Sequence, residues 1–417
     1  MAPKHTGWLV LGIAALAMVG TLPGRTQGLG LITEPLLRDL ELGRVEYAGL
    51  NLWATLLGGL FCIGIGQLQD KLGTRIVLTT LALALGAVVM IMGKIPSAAL
   101  LFLLLVLVRG FGQSALSVVS LAMVGQWFQK TIERSMATYT IVMTMGFMIA
   151  FPLMESIIRT KGWRVAWSGF GWGLILVLAP LALLVPRPPR SSDLEKPDAP
   201  DTDDGATLIT ALSTPAFWVM GLASALYGLI ASGIGLFNES VLKELGFSAK
   251  IYANTLAVTA LTALIGNFLG GYLATKGKLN RLMAVAMILL MVGLLILPFA
   301  HSMALVMLSA VVMGIAGGFV MVLFFSVWAY AFGRAHLGKI QGAAQLLTVL
   351  ASAVGPLALA SVYERSSSYA SIFFLLAGIV ALFALLCALT PVKALHPASQ
   401  RSPVTIDIPA ERHMGAR

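Results

Sequence analysis

The chain has 417 residues, of which 58% are hydrophobic and only 11% charged, against roughly 25% charged in an average soluble domain. That balance excludes a soluble enzyme or nucleic-acid-binding module. It points to an integral membrane protein, and 417 residues accommodate about twelve helices of ~20 residues each with short loops. The formal charge of +10 resides in short loops with no basic cluster interleaved with aromatics, so it reads as an orientation signal and no nucleic-acid partner is expected.

Apolar runs interrupted by polar residues predict spans near 7–32, 46–68, 76–94, 98–126, 136–157 and 164–185 in a first half, and near 215–238, 250–275, 282–300, 303–332, 339–362 and 370–390 in a second. The run from Trp8 to Gly24 imitates a signal peptide, but the repeat described below argues that it is retained. The share of Lys and Arg is larger on the side of the termini. Both termini and the 66–75 loop are therefore expected in the cytoplasm, across a membrane of the bacterial inner (cytoplasmic) type. Residues 186–212 are rich in proline and acid and read as a cytoplasmic linker between an N-terminal bundle, 1–185, and a C-terminal bundle, 213–392; 393–417 reads as a polar tail. Cys62 and Cys387 fall within spans and imply neither disulfide nor metal site.

The two halves repeat. Gly28 to Leu40 reads GLGLITEPLLRDL and Gly233 to Leu245 reads GIGLFNESVLKEL, an offset of 205 residues. At the same offset Tyr47 and Ala48 meet Tyr252 and Ala253, Gly66 meets Gly271, Leu68 meets Leu273 and Lys71 meets Lys276. The fold class predicted is all-α, with twelve transmembrane helices in two parallel-repeat six-helix bundles.

Gly66 to Arg75, GQLQDKLGTR, is a charged, glycine-bearing turn between two apolar runs, which places it at a membrane surface. It resembles the G-x-L-x-D-x-x-G-x-R signature between the second and third helices of the major facilitator superfamily, through Gly66, Leu68, Asp70, Gly73 and Arg75. The second copy departs from it, with Thr275 in place of Asp70 and Asn280 in place of Arg75. Arg109-Gly-Phe-Gly-Gln in the fourth span is similar to that superfamily's arginine-glycine motif, and Gly162-Trp163-Arg164 and the Phe332 to Gly342 segment also look like family features. The resemblance implies alternating access, with Gly66, Asp70, Gly73 and Arg75 as a conformational latch.

Arg109 lies deep in an apolar span, where an arginine costs at least ~2.5 kcal/mol unless it faces a wet cavity or a partner. It is a substrate contact, a coupling residue or a structural tie of the bundle. Arg25 follows Pro23 and Gly24, which can open the first helix. A proline followed by a basic residue there resembles the monocarboxylate porter branch. Here a glycine intervenes, and the eighth span lacks that branch's aspartate-arginine pair. The alternative for Arg25 is snorkelling to the outer headgroups. Gln27 and Thr26 complete a candidate polar site, with Asn238, Asn267, Tyr227 and Tyr330 as candidate lining in the second half; Trp328 and Gln345 are further polar or amphipathic residues there. Glu34 and Glu239 are repeat equivalents near the outer ends of spans one and seven, suited to a gate. Glu155 is a proton-coupling carboxylate if buried and a bystander if solvated.

The function expected is secondary transport of a small organic anion, carboxylate-like, by alternating access, with the lipid bilayer as surroundings and a proton or counter-ion as possible co-substrate. Export of drugs or other non-anionic molecules and a non-transporting receptor are the alternatives. No HExxH, G-x-S-x-G, P-loop or paired acids occur, so no enzyme activity and no cofactor or metal is expected.

Overall fold

The structure, a computed structural model, describes residues 4–62, 64–95, 98–128, 132–186, 206–274, 278–333 and 336–393; the side chains of Gly66, Gln67 and Asp70 lie outside it, though their helix is placed. The bulk of the expected linker, the tail beyond 393, and Thr275 and Lys276 also lie outside the described residues.

The first bundle contains α1 (Lys4–Gly20), α2 (Thr26–Gly30), α3 (Thr33–Asp39), α4 (Arg44–Gly59), α5 (Ile65–Leu72), α6 (Thr74–Met92), α7 (Ala98–Val108), α8 (Ser117–Trp127), α9 (Ile132–Lys161), α10 (Trp163–Gly173) and α11 (Ala179–Leu183). A short α12 (Leu208–Leu212) leads into the second bundle, α13 (Pro215–Glu244), α14 (Ala249–Ala274), α15 (Leu279–Ile296), α16 (Met303–Phe332), α17 (Leu337–Ser366) and α18 (Ala370–Leu389). Among the described residues eleven helices, counted through their irregular turns, are long and apolar enough to cross a membrane. The remaining crossing of the twelve is α4 followed by α5. It is broken by a 3-10 turn at Leu60–Cys62 and by Gly64 at φ +79, a left-handed conformation that glycine adopts at no steric cost.

The 205-residue offset extends through all six spans of each half. α9 and α17 begin and end at equivalent positions, as do the starts of α4 and α14, of α6 and α15, and of α7 and α16. Backbone irregularities repeat too. Ile32 at φ −111, ψ 0 breaks the first crossing where Phe237 at φ −112, ψ 16 kinks α13. Positive φ recurs at Glu41 and Gly246, and again at Gly162 and Ser367.

The same register governs side-chain contacts. Asp39 accepts from Trp163 Nε1 at 2.8 Å and Arg164 Nε at 3.2 Å, at the start of α10. Its repeat mate Glu244 accepts from the Ser368 hydroxyl at 2.6 Å and the Tyr369 backbone N–H at 3.1 Å, at the start of α18. Each half thus ties the end of its first crossing to the start of its sixth, with a carboxylate at the positive end of a helix. Burial pushes the Tyr369 phenol up to about 12, so it remains a neutral donor to Ser240 at 3.0 Å.

In the second bundle α14 packs on α16 through Gly266, Gly314 and Gly318, where an added Cβ would collide with facing backbone or side chain. In the first, Gly58 of α4 meets Arg109 and Gly110 in the same way. Small residues of this kind let membrane helices approach closely. The bundles meet through α9 with α14, α4 with α17 and α2 with α13.

Candidate functional site

Among the places where the repeat fails, two lie side by side in the first bundle. Residues 21–25 form a 3-10 turn, Leu22–Gly24, whereas the equivalent part of α13 is continuous helix. Arg109–Leu116 is π-helical, whereas the equivalent part of α16 is regular. The first crossing is therefore three helices rather than the single span 7–32 read from apolarity, and the fourth is two joined by a π turn. Leu22-Pro23-Gly24 accounts for the first break, since proline lacks a backbone donor and residue 24 has no room for a side chain. A Cβ on Gly24 would strike the Val108 carbonyl and the Gln113 N–H. The two irregular stretches are thus packed on one another, and each contributes one arginine. Irregular backbone at membrane depth is tolerated only where protein or a wet cavity surrounds it.

Arg109 is 2% exposed. Its Nη1 donates to Thr26 Oγ1 at 2.8 Å and Gln113 Oε1 at 2.7 Å, and its Nη2 to Asn51 Oδ1 at 3.0 Å. Three neutral acceptors from three crossings hold it, and its Nε has no partner. Arg25, half-buried, turns back along its own helix. Its Nε donates to Thr21 Oγ1 at 2.7 Å, its Nη2 to Met18 Sδ at 2.8 Å, and the guanidinium lies 5.1 Å from the Phe147 ring centre on α9. That path runs toward mid-span and away from the end where headgroup snorkelling would take it. Among the described residues no carboxylate lies within ion-pair distance of either guanidinium.

Gln27 lies beside this pair. Its backbone carbonyl accepts from the Tyr252 hydroxyl at 2.8 Å, and its side chain packs on Gly235. Arg25, Gln27 and Arg109 are therefore brought together around α2. The second-bundle candidates are more scattered. Tyr227 packs its hydroxyl on Gly317 and Asn267 packs its backbone on the adjacent Gly318, so both border the middle of α16. Asn267 Oδ1 is buried without a partner. Asn238 sits half-buried beside Glu239, and Tyr330 is 41% exposed close to the end of α16.

The candidate gate acids converge at the end of the molecule remote from the 66–75 turn, here termed the far end. Glu34 receives Arg44 Nη2 on both oxygens at 2.9 Å, and the Arg44 guanidinium lies 5.2 Å from the ring centre of Tyr363 in the other bundle. Glu34, Arg38, Arg44, Lys243 and Glu364 line an open cleft of about 560 Å³ there. The charges acting on Glu239 are those of Glu34 and Arg38 on α3, Lys243 on its own helix and Glu155 on α9. Glu155 is 8% exposed. That burial departs from the solvated alternative, and its nearest cation is Arg159 at 3.8 Å.

At the opposite end Gly73 stands at φ 85, ψ 150 between α5 and α6, a conformation essentially reserved for glycine. Arg75 is exposed. The tie of this turn to its bundle is Gln69, which is 2% exposed and donates to Thr74 Oγ1 at 2.9 Å, while Thr74 donates to Gln126 at 3.2 Å.

Against the Major Facilitator Superfamily model the chain matches twice, over residues 10–237 and 220–410. It belongs to the major facilitator superfamily. As a member it is a secondary transporter embedded in a lipid bilayer. A curated relative from Thermoproteus tenax, an uncharacterized 38 kDa protein in a 23S RNA operon, is 26% identical over 376 residues, 89% of each chain. Among solved superfamily folds, a bacterial homolog to the human lysosomal transporter Spinster, inward-facing and unoccupied, superposes with a TM-score of 0.71 at 16% identity, covering 93% of this chain and 98% of its own. The nucleoside transporter NupG superposes with a TM-score of 0.73 at 13% identity, covering 91% and 98%. These likenesses concern the fold.

Several contributors were not singled out from sequence. Asn51, Thr21, Met18 and Phe147 surround the two arginines together with Gln113, known from sequence only as a motif residue, and Tyr252 of the other bundle bonds the Gln27 carbonyl beside them. Asn51 carried a signal, being the one amide in the 50–65 apolar run. Tyr252 carried one as well, as the repeat mate of Tyr47.

Proposed function

We propose that this transporter moves a small organic anion, carboxylate-like, with the anion held beside α2 by Arg25. The observation that carries the reading is the pair of buried or half-buried guanidiniums whose partners are hydroxyls, amides, a thioether and an aromatic ring, with no acid among them. A cation in such surroundings lacks the charge that would neutralise it, and an anionic substrate supplies that charge at the bidentate edge of a guanidinium. The described crossings of the second bundle carry ionisable acids and bases only near their ends, so electrostatic recognition belongs to the first bundle and the neutral groups at Tyr227 and Asn267 face the rest of the substrate. The Glu34–Arg44 pair, which meets Tyr363 of the other bundle, is the candidate gate at the far end. The bias of basic residues supports a cytoplasmic location for the end that carries the termini.

The test is a thermal-shift screen of purified protein against small carboxylates, inorganic anions, sugars, amino acids and lipophilic cations, because a ligand of the folded state raises its apparent stability. The expected result is a shift with carboxylates that vanishes in Arg25→Ala while the unliganded midpoint moves little. Shifts from sugars or cations alone refute the anion reading.

A further inference from the structure

The α2 segment is bonded on both sides. Toward its own bundle Thr26 accepts from Arg109. Toward the other bundle the Gln27 carbonyl accepts from the Tyr252 hydroxyl, whose single proton is shared with the Gly235 carbonyl at 2.9 Å. Tyr252 is 1% exposed. Gly30, at the end of α2, lies so close to Gly235 and to the Tyr252 hydroxyl that no Cβ fits. One hydroxyl thus spans the seam between bundles and ends on the residue next to Arg109's acceptor.

The repeat supplies a contrast. Tyr47 is the mate of Tyr252 and is equally buried, yet its hydroxyl makes no such bond to the other bundle; the polar side chains beside it are Asn51 and Thr33 of its own bundle. The carbonyls equivalent to those of Gln27 and Gly235 belong to Ser232 and Gly30 by the same offset. Only one copy of the contact is made in this conformation.

We propose that Tyr252 is a positioning residue for transport: its hydroxyl holds α2 to the second bundle, so that closure of the far-end seam and the arrangement of Arg25, Thr26 and Arg109 are set together. Its removal loosens the seam, and loosening α2 from Arg109 does the same through the same short helix. The anion site enters only as the near side of this joint, and the measurement needs no ligand. Failure of the anion reading and failure of this one are therefore separately visible.

The test uses purified protein carrying Cys62→Ser and Leu37→Cys, since Leu37 lines the far-end cleft and is 7% exposed, and follows maleimide labelling of residue 37. Tyr252→Phe is expected to raise the labelling rate about five-fold, the weight of one hydrogen bond. Tyr47→Phe is expected to change it less than about two-fold, because it removes a hydroxyl whose polar neighbours, Asn51 and Thr33, belong to its own bundle and which makes no bond across the seam. Thr26→Val is expected to raise labelling in the same direction, and the double variant Thr26→Val with Tyr252→Phe to fall short of the product of the two, as coupled residues do. Equal effects of Tyr47→Phe and Tyr252→Phe, no effect of Tyr252→Phe, or strictly multiplicative effects in the double variant each overturn the proposal.

Discussion

Arg109 illustrates how a costly residue is made tolerable at mid-membrane. Its three acceptors come from α2, from α4 and from its own π turn, and Asn51 is itself fixed by donating to the Tyr47 carbonyl at 3.0 Å. Replacing Asn51 with leucine leaves one side of a buried cation unpaired, which costs roughly 1–3 kcal/mol. The expected outcome is a thermal midpoint well below that of wild type, measured without ligand. By contrast, Thr55→Val, which removes a hydroxyl that bonds only back along its own helix, leaves the midpoint nearly unchanged. From sequence the depth of Arg109 was readable, because an arginine amid apolar residues stands out. Its partners were not, because Asn51 lies 58 residues away and no local pattern links the two. Arg25 was readable for the same reason, but not the direction of its side chain, which depends on Phe147 arriving from α9.

At the scale of elements, the ends of helices carry the plainest signature of duplication. Asp39 and Glu244 do the same work at equivalent places, each satisfying donors at the start of a sixth crossing. Asp39→Ala and Glu244→Ala are each expected to lower stability by about 1 kcal/mol, read as comparable falls in thermal midpoint. A large fall in one alone separates the two caps. The matched stretches GLGLITEPLLRDL and GIGLFNESVLKEL each carry an acid near the end, Asp39 and Glu244, but nothing local singles these two out, because the donors they meet lie 124 residues on. What apolarity concealed was the breaks. Residues 50–65 read as an uninterrupted run, but Gly64 adopts positive φ and ends α4's path; hydrophobicity reports burial in lipid and is blind to a turn made by one glycine. The π turn at Arg109–Leu116 was not legible either, because Gly110 and Gly112 weaken a helix there without specifying which irregularity results.

For the molecule as a whole, the seam at α2 is where the two bundles approach most closely around the candidate site. Gly30 and Gly235 are repeat mates facing one another, but they are not equivalent in room. A Cβ at residue 30 collides with the Gly235 carbonyl and the Tyr252 hydroxyl, while one at residue 235 meets the Gln27 side chain at an ordinary 3.5 Å. Gly30→Ala is therefore expected to disfavour this closed conformation and slow turnover at least about ten-fold, the effect of ~1.4 kcal/mol, whereas Gly235→Ala retains most activity. Counterflow in reconstituted vesicles measures both. The two-bundle plan was legible in the sequence because a single ungapped offset of 205 holds from Gly28 to Lys71. The site was less so, for it sits where the two copies stop matching, and a repeat announces its similarities more readily than its exceptions.

The placement of Arg109's acceptors also bears on how the chain is made. Thr26 and Asn51 precede Arg109 in the chain, and Gln113 follows it by four residues. Synthesis proceeds from the N-terminus, so two crossings with waiting acceptors have already left the ribosome when the charged fourth crossing follows. The residue that lipid would reject is delivered after two of its three acceptors.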